Sequence, residues 1–185
     1  MNLFMRIIHK IFKKAIFLLY ALINQINFHF KLKTIDIFLN KIRISLLKIC
    51  GSKIGENSSI HPNVMIYNPE NLIIGNNSNI GSNSEIFNYS KITIGDNVDI
   101  GTQFYINTNN HSTEDQNRPL AYQGGTSKDI ILGSDIWIGA RVTILSNVKI
   151  EDRIVIAAGS VVNKDLKTGF MYAGVPAIAK KKLNN

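Results

Sequence analysis

One histidine, His111, stands where a regular pattern breaks. It lies in a polar stretch, residues 107–129, that interrupts a ladder of aliphatic residues, and it is the only histidine in the second half of the 185-residue chain. The same stretch carries Asn109, Asn110, Ser112, Glu114, Asp115, Arg118, Pro119 and Gly124-Gly125. A loop that long inside a compact domain is usually functional. An imidazole titrates near neutrality, so His111 is the side chain there best able to exchange a proton at physiological pH. His61, in Ile60-His61-Pro62-Asn63, reads as an ordinary corner residue, while His9 and His29 fall in a helical segment. A zinc site needs several His, Cys or carboxylate ligands held together. The ladder offers only two histidines and the chain one cysteine, Cys50, so no metal is expected. Cys50 reads as a small apolar side chain without a partner for an intrachain disulfide.

The elements that must position His111 follow from the ladder. An aliphatic residue returns every six positions: Ile54, Ile60, Ile66; Ile74, Ile80, Ile86; Ile94, Ile100, Ile106; then, past the break, Leu132, Ile138, Ile144, Ile150, Ile156, Val162. Four places later most hexads carry a small or β-branched residue, such as Ser58, Val64, Ser78, Val98, Val142 or Ser160, with Glu70, Phe104 and Asn110 departing from the rule. Period six is neither helical nor simple strand alternation. It fits short strands joined by corners, three hexads to a triangular coil, and the hexads present predict about five coils. The corners Gly55-Glu56-Asn57, Gly75-Asn76-Asn77, Gly95-Asp96-Asn97 and Gly133-Ser134-Asp135 are expected to supply left-handed backbone. The predicted fold is mainly β: a parallel β-helix with one long inserted loop, preceded by a helical segment. A solenoid alone does not specify a function, so a structural or binding repeat protein is one alternative.

Composition, 45% hydrophobic and 18% charged, is that of a globular chain. The net charge of +8 resides entirely in residues 1–50, where nine cations meet one acid, Asp36; residues 51–185 are balanced. Basicity therefore does not point to nucleic acid, and the chain divides into a basic segment, 1–50, and a repeat domain, 51–185. From Arg6 to Ile26 apolar residues recur at helical spacing (Ile7, Ile8, Ile11, Phe12, Ala15, Ile16, Leu19, Leu22, Ile23, Ile26), with Arg6, Lys10, Lys13 and Lys14 opposite. A second helix is predicted after Thr34, with Asp36 in its first turn and Phe38, Leu39, Ile42, Leu46 and Ile49 along its stripe. The uncharged run Ala15–Phe30 contains Asn24, Gln25 and Asn27 and falls short of the ~20 apolar residues a membrane span needs. No small-residue cleavage site follows it, which argues against a signal peptide. Two readings remain open: the helices pack on the repeat domain or a neighbouring subunit, or residues 1–33 bind the anionic inner face of the membrane.

The run Asp135-Ile-Trp-Ile-Gly-Ala-Arg-Val-Thr-Ile144 is followed by Ile156-Ala-Ala-Gly-Ser-Val-Val-Asn-Lys-Asp165 and Tyr172-Ala-Gly-Val-Pro-Ala177. With a loop histidine ahead of the tryptophan, these residues resemble the hexapeptide-repeat acyltransferases, closest to the maltose and galactoside O-acetyltransferases and to acetyltransferases of polysaccharide biosynthesis. That resemblance, not the period, implies a left-handed β-helix.

It also implies roles residue by residue. His111 matches the catalytic histidine, the general base that takes the proton of an acceptor hydroxyl as it attacks the acetyl thioester. Ala140 stands where relatives often have serine, so its backbone N–H is expected at the oxyanion. Trp137 resembles the ring that walls the acyl site, or else packs in the core. Gly139 would admit the cofactor closely. Ala157, Gly159, Ser160 and Asn163 line the expected path of coenzyme A. Lys164 and Lys181 match cations that meet its 3′-phosphate, although Lys181 also sits in a charge run, Lys180–Lys182. Asn88 resembles an acceptor-binding asparagine, or is a corner residue.

The implied function is acetyl-coenzyme A-dependent O-acetylation of a sugar hydroxyl in surface polysaccharide biosynthesis, by a homotrimer in the cytoplasm or peripherally on the inner face of the membrane. N-acetylation of an amino sugar or amino acid is the alternative. A zinc carbonic anhydrase on the same fold would need a third histidine.

Overall fold

The computed structural model describes residues 3–26 and 33–184; His29 and the end of the uncharged run, residues 27–30, lie outside them. Helices α1 (Leu3–Asn24) and α2 (Lys33–Cys50) come first, and all that follows is built from strands of two to five residues and two short 3-10 turns. The strands stack into three faces. Face A holds Lys53–Ile54, Leu72–Ile74, Ile92–Ile94, Ile130–Leu132 and Lys149–Ile150. Face B runs from Ser59–Ile60 through Asn79–Ile80, Val98–Ile100, Ile136–Ile138 and Ile154–Ile156 to Phe170–Ala173. Face C holds Met65–Ile66, Glu85–Phe87, Tyr105–Asn107, Thr143–Ile144 and Val161–Val162. The ladder continues past the fifth coil, because Leu166 bridges Ile150 and Phe170–Ala173 pairs with Ile154–Ile156, giving about six turns.

The hexad register explains the core. On face A, Ile54, Ile74, Ile94, Leu132 and Ile150 pair in register from coil to coil, and all are buried. Faces B and C repeat the arrangement, and each fully buried aliphatic stabilises the stack by about 1.5–3 kcal/mol. Phe104, which breaks the small-residue rule, is also buried and fills the interior. Inward serines staple adjacent coils: the Ser58 hydroxyl donates to Gly75 O at 2.7 Å and accepts the Ser78 N–H at 3.0 Å.

The corners supply the left-handed backbone expected of them, but not at their glycines. The left-handed backbone falls on the third corner residue, Asn57, Asn77, Asn97 and Asp135, with φ between 54° and 57°. The glycines ahead of them are there for space: a Cβ on Gly55 would lie 2.5 Å from Gly75 C, and one on Gly95 would lie 2.4 Å from Gly133 O. The asparagines tolerate αL because their short polar side chains bond locally, and here they also ladder, Asn63 donating to Asn83 at 3.2 Å.

The helices close the open lower end of the solenoid. The first coil has no coil beneath it, so its backbone groups need other partners. Asn40 accepts the Ile60 N–H at 2.9 Å, Arg43 Nε donates to Ile60 O at 2.9 Å, and Tyr20 and Asn24 both donate to Val64 O. Burial pushes the Tyr20 phenol up and the Arg43 guanidinium down from their ordinary values, and both remain protonated donors at neutral pH. Leu46 and Leu47 of α2 join the same core as the coils.

Because Gly95 supplies space rather than φ, Gly95→Ala should destabilise the protein by ~1–3 kcal/mol in urea unfolding. A glycine with an ordinary φ and open space above it would give the opposite sign, a gain of ~0.4–1 kcal/mol.

Candidate active site

The long insertion leaves the solenoid at the corner between faces C and A. Thr108 is buried there and its N–H still bonds Phe87 O, so the ladder ends one residue past the Tyr105–Asn107 strand. The insertion then forms an antiparallel hairpin, Asn109–His111 against Gly125–Ser127, with His111 opposite Gly125. Gln123 gathers its tip by bonding Asp115 N, Asp115 O and Arg118 O. Asp129 clamps its base by accepting from the Ser90 hydroxyl and the Lys91 N–H, contacts that hold its carboxyl below the usual carboxylate range. His111 is exposed on this hairpin. Asn163 and Lys164 are exposed at the same C–A edge, two coils on.

A second group lies on the edge between faces B and C. Gly139-Ala140 and Ala157-Ala158-Gly159 are successive corners of this edge, joined by Gly159 N–H to Ala140 O at 2.9 Å. Among the described residues the Ala140 N–H meets no hydrogen-bond acceptor, as the same corner position in other coils, Thr102 and Ala158, also does not. The residue is half-exposed. Gly139 gives clearance to the next coil, since its Cβ would lie 2.5 Å from Ala158 N. Gly159 holds φ +72° with open space around it, the left-handed corner position that Arg141 fills one coil below.

Trp137 is 60% exposed on face B, which removes the core-packing alternative. It lines a hollow of about 550 Å³ with Asp99, Asp135, Arg153 and Leu183. The tail turns at Gly174-Val175-Pro176 and returns as Ile178–Lys182, antiparallel to Phe170–Ala173, placing Lys181 on face B. A larger hollow, about 910 Å³, lies between α2 and the first coils; it is lined by His61 but by none of the candidate site residues.

Residues 71–107 match the family described as hexapeptide repeat of succinyl-transferase, and residues 129–164 match bacterial transferase hexapeptide (six repeats). A galactoside O-acetyltransferase of Escherichia coli is 34% identical over 143 residues, covering 77% of this chain and 70% of the relative. A second Escherichia coli protein, assigned as a colanic acid biosynthesis acetyltransferase, is 30% identical over 140 residues, covering 76% and 74%. The chain belongs to the hexapeptide-repeat acyltransferases. A hexapeptide-repeat acetyltransferase from Vibrio cholerae, solved in complex with acetyl coenzyme A, superposes with TM-score 0.78 at 27% identity over 94% of this chain and 88% of that one.

Within this hexapeptide-repeat acyltransferase the expected residues fall into two groups. Trp137, Ala140, Ala157, Gly159 and Lys181 occupy face B and its edge with C, whereas His111, Asn163 and Lys164 occupy the C–A edge. From Ala140 to Ser146 the chain crosses the whole of face C, about 20 Å at ~3.3 Å per residue. Asn163, expected on one coenzyme A path with Ala157 and Gly159, therefore lies on a different edge from them and from Ala140. Two further residues serve the scaffold. Ser160 is fully buried, its hydroxyl donating to Ala157 O and accepting the Gly174 N–H. Asn88 is fully buried with its side-chain oxygen on Asn68 N and its amide nitrogen on Asn68 O, so neither faces a ligand, and its φ is not left-handed. His61 and His111 sit on different edges, and no cluster of three metal-binding side chains occurs among the described residues.

The hexad reading passed over a cluster of rings beside the hairpin. Phe87 stacks between Tyr67 and Tyr105 with centroids 5.7 and 5.6 Å away, and Tyr67 also meets Tyr89 at 4.9 Å. The signal was present, since three of these aromatics adjoin the ladder residues Ile66, Ile86 and Ile106 of face C.

If Ser160 and Asn88 serve only the scaffold, Ser160→Ala and Asn88→Ala should each lower unfolding free energy by ~1–3 kcal/mol. Coenzyme A affinity, measured by calorimetry on the folded variants, should stay within twofold of wild type.

Proposed function

We propose that the protein is an acetyl-coenzyme A-dependent O-acetyltransferase that acetylates a sugar hydroxyl in the assembly of a surface polysaccharide, with His111 as general base and active sites shared between the chains of a homotrimer. The observation that carries this reading is the separation of His111 from the free Ala140 N–H by a full face of the prism. Acyl transfer needs a base and an oxyanion donor each within hydrogen-bond reach of the same reacting group. One chain cannot bring them together. Two chains can, if the C–A edge of one faces the B–C edge of the next. The named relatives act on galactosides or are assigned to colanic acid, which supports a carbohydrate acceptor.

At such an interface the free imidazole nitrogen of His111 takes the proton of the acceptor hydroxyl as its oxygen attacks the thioester carbonyl. Negative charge gathers on the carbonyl oxygen and is met by the Ala140 N–H. Collapse forms the ester and expels the thiolate of coenzyme A, which takes the proton back from the imidazolium. Trp137 walls the acyl end, and Ala157 and Gly159 border the pantetheine arm along the B–C edge. Lys164, beside Asn163, and Lys181 supply charge for the 3′-phosphate, and in the trimer they come from different chains.

His111→Ala should lower turnover ~10²–10⁴-fold while coenzyme A affinity holds, because only the proton transfer is lost. Turnover near wild type, read by free-thiol release with a panel of sugar and amine acceptors, would remove the base assignment. Neutralising Lys164 or Lys181 should weaken coenzyme A more than dephospho-coenzyme A. Co-refolding His111→Ala chains with Ala140→Trp chains should restore part of the activity that neither has alone. Verified mixed trimers without recovery would overturn the shared site.

A further inference from the structure

Helix α1 packs one side against the body and leaves another bare. Its contacts with the body run along Ile16, Phe17, Tyr20, Ile23 and Asn24, at spacings of three and four. Arg6, Lys10 and Lys13 continue that same stripe toward the N-terminus. The long apolar stripe, Ile8, Ile11, Ala15, Leu18 and Leu22, lies on the opposite side, and its large members are 45–63% exposed. Phe12 and Leu19 flank it, at 54% and 44%, and on α2 Phe38 is 62% exposed. Every residue from Met5 to Phe12 is exposed, so the first turns of α1 overhang the solenoid with the apolar side bare. Apolar surfaces this extensive on folded proteins mark interaction sites.

The charge decides what covers it. α1 carries four cations (Arg6, Lys10, Lys13, Lys14) and no acid in its first turn, and residues 1–50 hold the whole net charge of +8. A second copy meeting this face would bring a second +8 segment to the contact. A bilayer with anionic headgroups attracts those cations and takes up the apolar stripe, and each cation near such a surface adds binding. No helix among the described residues is long and apolar enough to cross a membrane, so α1 would lie in the plane of the surface. We propose that α1 docks this protein on an anionic lipid bilayer, with Ile8, Ile11, Leu18 and Leu22 in the headgroup–acyl boundary, Lys14 at the border of that stripe among the headgroups, and the other cations acting through the field of the charged surface. The geometry leaves the β-helix edges free, and the inference does not depend on the acetyl-transfer reading.

The test uses full-length protein in flotation with phosphatidylcholine vesicles, with and without phosphatidylglycerol, at low and high salt. Wild type should float with the anionic vesicles at low salt and be released by high salt. Ile11→Glu with Leu18→Glu touches no buried residue, so its thermal unfolding should match wild type while vesicle binding falls on the order of 100-fold. Lys10→Glu with Lys14→Glu should weaken anionic binding at least about tenfold. Failure of wild type to bind anionic vesicles, or equal binding to neutral ones, would overturn the proposal. So would a loss of oligomer in the Ile11→Glu, Leu18→Glu protein, since a second copy would then be the occupant.

Discussion

Everything in this structure depends on how closely one coil lies over the next. Parallel strands in neighbouring coils must approach to about 4.8 Å for their backbone ladders to close. They do so at the corners as well as on the faces, with Gly55 to Ile74, Gly75 to Ile94 and Gly95 to Leu132 bonds of 2.8–2.9 Å. At that spacing a side chain on Gly55, Gly75 or Gly95 would strike the backbone of the next coil. The same closeness puts isoleucine on isoleucine for the length of the core. The result is a rigid prism that tolerates added residues only where they point outward.

That rigidity dictates where chemistry can occur. Flat faces filled by ladder bonds leave no deep cavity inside the prism, so reactive groups must be carried on edges or on an outward hairpin. Asp129 and Thr108 fix the base of the His111 hairpin to the C–A edge, while the free corner N–H groups line the B–C edge. A N–H left unbonded by the corner geometry is generic to the fold. What distinguishes Ala140 is its setting, beside an exposed Trp137 and above half-open corners.

The two ends of the prism are a separate problem, since a terminal coil exposes unpaired strand edges. The lower end is closed by α2 and by Tyr20 and Asn24 of α1, through polar side chains aimed at backbone groups of Ile60 and Val64. The upper end is closed by the tail strand Ile178–Lys182, whose antiparallel pairing stops the ladder. Sealing the lower end uses only one stripe of α1, and the amphipathic sequence of that helix places its apolar stripe on the other.

The sequence by itself determined the repeat, because period six records a physical demand made at every coil: one inward aliphatic per face and small residues at the corners. It marked the His111 insertion for the same reason, as the place where that demand lapses, and the motif around Trp137 and Ala140 carried the family. Tertiary structure decided what local pattern cannot hold. Whether a corner glycine serves torsion or clearance depends on the coil above it, about twenty residues away in the chain at Gly55, Gly75 and Gly133 and nearly forty at Gly95. Whether Asn88 and Ser160 meet a ligand depends on partners at Asn68 and Gly174. The orientation of α1 was equally hidden, because periodicity finds an apolar stripe but not the direction it faces. That direction was set by Tyr20 and Asn24, the residues whose hydrogen bonds the first coil required.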